Sequence, residues 1–240
     1  MKNGEEYRLD AMLPDISQCR EKLKLRFNDL SEKELDNLLS CNSAKYYKKG
    51  TIIYEEGTKM KGCYFIYSGI LKIYQTGSEG KEQIIKFEQA GDIFGFRSVI
   101  SCEPACTSVK TLSDAILCYI SGTALLDLLK NNSGFAYEMI QITCKELGES
   151  NRYIQDIAQK TVKRRLAEIL VMIAKDFGQE NDGTLKLTPT REDLGNFAGT
   201  ATETIIRLLS EFKNEGLVES NGRKIKLLNL ERLKIIAGKS

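Results

Sequence analysis

Hydrophobic residues along the chain change period twice, and the changes mark out its organisation. Residues 1 to about 45 are charged, with Leu23, Phe27, Leu30 and then Leu35, Leu38, Leu39 at helical spacing, and Ser31 with Glu34 makes a capping-box signature. From Tyr46 the period shortens. β-Branched and aromatic runs at 46–47, 51–54, 63–67, 70–74, 83–87 and 115–120 alternate with glycine turns at Gly50, Gly57, Gly69, 77–80 and Gly91. Short strands at such spacing predict an all-β barrel or roll over 46–121. From Ser133 the helical period returns and runs long: Ile140, Leu147, Ile154 and Thr161 keep a seven-residue spacing. That edge fits a parallel homodimeric coiled coil. It fits nearly as well a helix packed on its own β-domain, because polar Ser150 and Asn151 interrupt the intervening seam.

The last third is built of shorter elements. A helix over 162–177 carries Leu166, Ile169, Leu170, Ile173 and Ala174 on one face, and 184–187 reads as a short strand. Two helices follow, hinged at 198–200. Thr190 precedes Asp193 by three positions and Thr200 precedes Glu203 by three, so each helix begins with a capping-box pattern. Leu194, Phe197 and Ala198 form the buried stripe of the first; Ile205, Leu208, Leu209 and Phe212 form that of the second. Then 217–220, Asn221-Gly222 and 224–228 predict a hairpin with a type I′ turn.

What this leaves facing outward on the second helix is Thr202, Glu203, Ile206 and Arg207. A helix-turn-helix places such residues in the DNA major groove, where Arg207 would donate to guanine, Glu203 accept from a cytosine amine and Ile206 touch a thymine methyl. The plainer reading is that Glu203 only completes the cap of Thr200 and pairs with Arg207 at i, i+4. The hairpin would be a wing, with Arg223, Lys224 and Lys226 near phosphate.

Composition changes this picture in three ways. The net charge of the 240 residues is only +2, but 160–240 holds 15 Lys+Arg against 11 Asp+Glu, so the basic excess sits with the helix-turn-helix. The apolar run 169–174 is far too short for a membrane span, and Glu5, Glu6 and Asp10 leave no signal-peptide pattern, which points to the cytoplasm and to no membrane partner. Seven cysteines (Cys19, Cys41, Cys63, Cys102, Cys106, Cys118, Cys144) with no C-x-x-C and no histidine read as reduced, mostly buried thiols. Cys102 and Cys106 are close enough in a loop for a redox role, whereas a cysteine-nucleophile enzyme lacks the histidine that would activate it.

The order of elements, with LGNFAG (194–199), TETIIRLL (202–209), GDIFG (91–95) and VKRRLA (162–167), resembles the CRP/FNR family of bacterial transcription regulators over about 30–230. The resemblance implies an α+β fold: a cyclic-nucleotide-binding-type β-roll with N-terminal helices (1–132), a dimerisation helix (133–159) and a winged helix-turn-helix (160–240). It implies double-stranded DNA, a second copy of the chain and RNA polymerase as partners, and no enzymatic activity. Glu203 and Arg207 match the family's base-reading pair, Thr190, Arg191 and Thr204 match phosphate-approaching positions, and Thr202 stands where catabolite activators carry a further arginine. Members that bind cyclic AMP have Gly-Glu where this chain has Gly95-Phe96 and Arg-Ser where it has Ala105-Cys106, so cyclic AMP is not expected. Any effector pocket would draw on Phe96, Arg97, Ser98, Cys106, Ser150 and Asn151, and the dimer seam on Ile140, Leu147 and Ile154. Cys118 matches the fourth cluster ligand of FNR, but only Cys19 stands for its N-terminal three-cysteine motif, which argues against an iron-sulphur cluster; the lack of histidine argues against haem. A nucleotide-binding module acting on a protein partner, or a cysteine-based redox sensor of the same family, are the alternatives.

Overall fold

The computed structural model describes residues 13–39 and 44–238. Cys41 and the acidic extreme N-terminus lie outside them. Contacts divide the α+β chain into two compact units, one taking the described residues through Thr76 together with 86–146, the other 77–85 and those from Leu147 onward.

The first unit opens with α1 (Ile16–Arg26) and α2 (Glu32–Leu38). Asp15 caps α1 by accepting from the Gln18 amide at 2.9 Å, and Ser31 with Glu34 closes the expected capping box on α2. The strands are β1 (Ala44–Tyr47), β2 (Ile52–Tyr54), β3 (Gly62–Ser68), β4 (Ile70–Thr76), β5 (Glu82–Gln89), β6 (Ile93–Phe94), β7 (Ser108–Thr111) and β8 (Ala115–Ser121). They form two four-stranded sheets, ordered β1-β8-β3-β6 and β2-β7-β4-β5. Sequence periodicity missed β6 and β7, which are short, and Lys110 and Ser108 make β7 too polar to register as a strand.

β3 and β8 are buried on both faces. Cys63, Phe65, Cys118 and Ile120 point to the helical layer, while Ile66, Ala115 and Leu117 point into the roll against Leu71, Ile73 and Val109. This explains why both strands read as continuous apolar runs rather than alternating ones. Gly69, between β3 and β4, holds φ 99°, and a Cβ there would lie 2.6 Å from Ala115, so the tight turn admits glycine alone.

Three helices complete the unit: α3 (Phe96–Ser101), α4 (Gly122–Asn131) and the first half of α5 (Ser133–Gln159). α4 was not foreseen; Ser121 caps it and Leu125 and Leu128 bury its inner face. Phe135 and Met139 anchor the start of α5 in the core, with Phe135 against Phe27 at 5.0 Å between ring centroids. Thr161, expected as a fourth seam position of that helix, lies beyond its end and instead caps the next one by accepting from the Arg164 amide.

The second unit contains α6 (Val162–Asp176), α7 (Arg191–Ala198), α8 (Thr202–Asn214), β9 (Val218–Asn221), β10 (Lys224–Leu227) and α9 (Leu230–Ala237). Leu166, Leu170, Leu194, Ile205, Phe212, Val218, Ile225 and Leu233 are all at most 1% exposed and make its core. The expected strand at 184–187 is reduced to isolated bridges, Thr184 with Lys226 and Leu185 with Gln179. Asp182, which accepts from the Thr184 amide, turns the chain too sharply for a longer ladder.

Candidate nucleic-acid interface

α7 begins as the sequence predicts. The Thr190 hydroxyl accepts from the Asp193 amide at 2.9 Å, and the Asp193 carboxylate accepts from the Thr190 amide at 3.1 Å. Gly199 ends the helix at φ 63°. The left-handed turn favours glycine at 199, and a Cβ there, 2.8 Å from the end of the Ile157 side chain of α5, would have to displace it.

The start of α8 differs from expectation. Its cap is Ala201, which makes no side-chain hydrogen bond, so Thr200 and Glu203 do not form a capping box. Thr200 is instead part of the turn, its amide donating to Gly195 O at 3.0 Å. Glu203 is thereby released from the structural role that competed with DNA reading.

α8 buries Ile205, Leu208, Leu209 and Phe212 and exposes Glu203, Ile206, Arg207 and Ser210 at i, i+3, i+4, i+7. Thr202 and Thr204 are half-buried beside that stripe. Ile206 is 53% exposed. Arg207 lies 3.9 Å from Glu211, one turn onward, rather than closing on Glu203 as the plainer reading had it. Glu211 is already engaged by Lys163 of α6 at 2.5 Å, and Lys163 also reaches Glu215 at 2.8 Å, which fastens α8 to α6. The Arg207 guanidinium is left largely in solvent.

The wing also departs by one residue. Asn221 pairs with Lys224, so the two-residue loop is Gly222-Arg223, not Asn221-Gly222. Gly222 has φ 57°, and among non-glycine residues described only Cys102 has positive φ. Glycine at the first loop position with a normal second residue is the type II′ solution, not type I′. Arg223 and Lys224 are exposed at the tip, while Lys226 faces Asp182 at 3.9 Å. Arg191 braces this wing, donating through Nη2 to Gly222 O at 3.0 Å; its Nη1 is buried with no hydrogen-bond partner, and burial lowers its pKa.

Sequence reasoning missed Arg165, the residue that fixes the two-helix motif. From α6 its Nε donates to Ala198 O at 2.8 Å, at the end of α7, and its Nη1 donates to Lys160 O at 2.6 Å and Ile157 O at 3.3 Å, at the end of α5. A guanidinium thus satisfies terminal carbonyls of two helices, where their dipoles favour positive charge. The signal available beforehand was an arginine amid the apolar face of 162–177. Nearby, Tyr153 of α5 stacks on Phe197 at 6.4 Å, and Gln83 donates to Asn196 O and Tyr153 Oη.

The residues proposed for an effector pocket fall in both units, 96–98 and Cys106 in the first and Ser150 and Asn151 in the second. Phe96 is 3% exposed and packs in the helical-layer core with Cys63, Phe65 and Val99, and Ser98 is buried too. Arg97 forms a surface ion pair with Glu103 at 2.9 Å, and Cys106 is exposed. Ser150 and Asn151 are exposed on α5. The roll interior is filled by Tyr54, Phe94, Leu71 and Val109, with Tyr64 stacked on Phe94 at 5.4 Å. Of the described cysteines, Cys19, Cys63 and Cys118 are buried, but Cys102, Cys106 and Cys144 are exposed, so "mostly buried" was too broad. No helix among the described residues is long and apolar enough to cross a membrane.

Comparison with known proteins agrees with this architecture. Residues 44–132 match the cyclic nucleotide-binding domain and 164–236 the Crp-like helix-turn-helix domain. The chain is 31% identical over 212 residues to the fumarate and nitrate reduction regulatory protein of Salmonella typhimurium, covering 87% of this chain and 84% of that one. It is 30% identical, with the same coverage, to electron transport regulator A of Shewanella oneidensis. Among solved structures, FixK2 from Bradyrhizobium japonicum superposes with a TM-score of 0.72 at 25% identity, covering 80% of this chain and 96% of that one. The chain belongs to the CRP/FNR family of transcription regulators and carries the family's helix-turn-helix DNA-binding domain.

Proposed function

We propose that the chain acts as a homodimer on a roughly palindromic operator, each subunit placing α8 in one major groove about 34 Å apart. The observation that carries this is the outward stripe Glu203, Ile206, Arg207, exposed on a helix whose opposite face is fully buried. Arg207 is the donor to guanine, Glu203 the acceptor from cytosine and Ile206 the apolar contact, with Thr202 beside them. Thr190, Arg191, Thr204, Arg223 and Lys224 approach phosphates and set the register. Ile140, Leu147 and Ile154 are 59%, 61% and 68% exposed on α5, and a second copy of the helix is the partner whose seam matches their spacing.

The protein works in the cytoplasm, regulating transcription through RNA polymerase rather than by catalysis. Its signal is read as other than cyclic AMP, because by the family resemblance Phe96 stands where a ribose-binding carboxylate would be and Ala105 where the phosphate-binding arginine would be. An effector of other chemistry would use Arg97, Ser150 or Asn151. Selection of bound sequences from a random DNA pool, with reduced protein and no added small molecule, tests the reading. An inverted repeat supports it. Absence of enrichment, repeated with nucleotides and cell extract present, refutes it in favour of a module acting on a protein partner.

A further inference from the structure

Two cysteines that DNA reading does not use meet inside the first unit. Cys19, on the buried face of α1, and Cys118, in the middle of β8, have their Sγ atoms 3.0 Å apart although 99 positions separate them. They are 1% and 0% exposed. Cys118 lies opposite Phe65 of β3, which puts Cys63 on the diagonal, roughly 7–8 Å away by sheet geometry. Burial pushes the Cys63 thiol up to about 12, so it is an inert neighbour. Among the described residues the pair stands alone: two thiols meet here, and no group of three or more His, Cys, Asp or Glu could hold a metal.

The pair is chemically asymmetric. Cys118 donates its S–H to Cys19, which holds the Cys19 thiol below its ordinary value despite burial and raises that of Cys118. Each sulfur is within reach to resolve a sulfenic acid formed on the other. A disulfide bond is about 2.05 Å long, so joining them requires an approach of about 1 Å.

We propose that Cys19 and Cys118 form a reversible intramolecular disulfide on exposure to a hydroperoxide, bolting α1 to the centre of β8. The Cys19 thiolate attacks the peroxide oxygen, the O–O bond breaks, and the leaving oxygen departs protonated as water or alcohol. The resulting sulfenic acid is attacked by the Cys118 sulfur, which gives up its proton as hydroxide leaves as a second water. Two thiols lose two electrons and the peroxide gains them. A dithiol reverses the bond by exchange. Because both sulfurs are covered, reaction runs through brief openings of α1; small peroxides enter and bulky disulfides do not.

Full-length reduced protein is treated with hydrogen peroxide, alkylated, digested and mapped by mass spectrometry. A peptide joining Cys19 to Cys118 is expected, with a mass loss of about 2 Da as two thiol hydrogens leave. Closing so long a loop raises Tm by about 5–15 °C, reversed by dithiothreitol. Cys19→Ser and Cys118→Ser abolish peptide and shift; Cys63→Ser and Cys144→Ser keep both. Recovery of Cys19 and Cys118 fully alkylated or as sulfinic acids, or crosslinks confined to exposed Cys102, Cys106 and Cys144, overturns the proposal. The mapping on wild-type protein decides even where a serine variant fails to fold, and it does not depend on DNA binding.

Discussion

Removing Arg165 tests how the ends of α5 and α7 are held together. Its guanidinium makes three hydrogen bonds, to Ala198 O, Lys160 O and Ile157 O, at 2.8, 2.6 and 3.3 Å. Hydrogen bonds from a charged donor contribute about 1.5–3 kcal/mol each, but these carbonyls are only partly screened from water and the longest bond is weak. A total near 3 kcal/mol is reasonable, because terminal carbonyls that water can reach recover part of the loss. At about 2–4 °C per kcal/mol for a chain of this size, Arg165→Ala lowers Tm by about 6–12 °C. Arg165→Lys keeps the charge but cannot fork between carbonyls of α5 and α7, so it restores less than half. The assay is thermal unfolding followed by circular dichroism on both variants. If Arg165→Ala melts within about 2 °C of the parent, or Lys restores stability fully, the bridging argument is wrong.

Arg207→Ala should weaken binding to the selected operator by about 5–150-fold and relax preference at one base position, with Tm unchanged because the side chain is largely exposed; fluorescence anisotropy against a set of single-base variants reads this. Leu147→Lys and Ile154→Lys should convert the dimer to monomer in sedimentation velocity with helix content retained, since both side chains stand in solvent in the single chain; a persistent dimer would place the interface elsewhere. Glu88, buried beside Lys86 and Asp92, has its carboxyl pushed up to about 8, by burial first. The folded value exceeds the ordinary 4.5, so the stabilisation is full below about 4.5 and lost as pH rises to about 8. With no histidine in the chain to titrate between these limits, Tm should fall from pH 5 to pH 8, and Glu88→Gln should flatten the profile; an equally sloping profile in the variant would exclude Glu88 as the cause.

Much of the fold was legible because it is written in local patterns. The period of the apolar residues located the helices, the roll and the helix-turn-helix; the capping residues Ser31 and Thr190, each with its acidic partner three positions on, located helix starts; and Ile205, Leu208, Leu209 and Phe212 told which face of α8 is inward. The exposed stripe of α8 followed as the remainder. These features depend on neighbours within one or two helical turns, which sequence order preserves.

Long-range placement decided the rest. Thr200 and Glu203 have capping-box spacing, yet the helix starts after Ala201 and Thr200 lies in the turn, its amide donating to Gly195 O. The wing turn slipped to Gly222-Arg223 because register is set by Ile225 and Val218 reaching the core, not by the turn dipeptide alone. Phe96, which the family resemblance put at a pocket, lies buried among Cys63, Phe65 and Val99, contacts that only the packed helical layer supplies. Arg165 bridging two helix ends, and Cys19 meeting Cys118 across 99 positions, join segments whose separation along the chain carries no trace of their contact. Local sequence determined which elements form and which faces are apolar; only the closed packing of those faces determined which side chains meet.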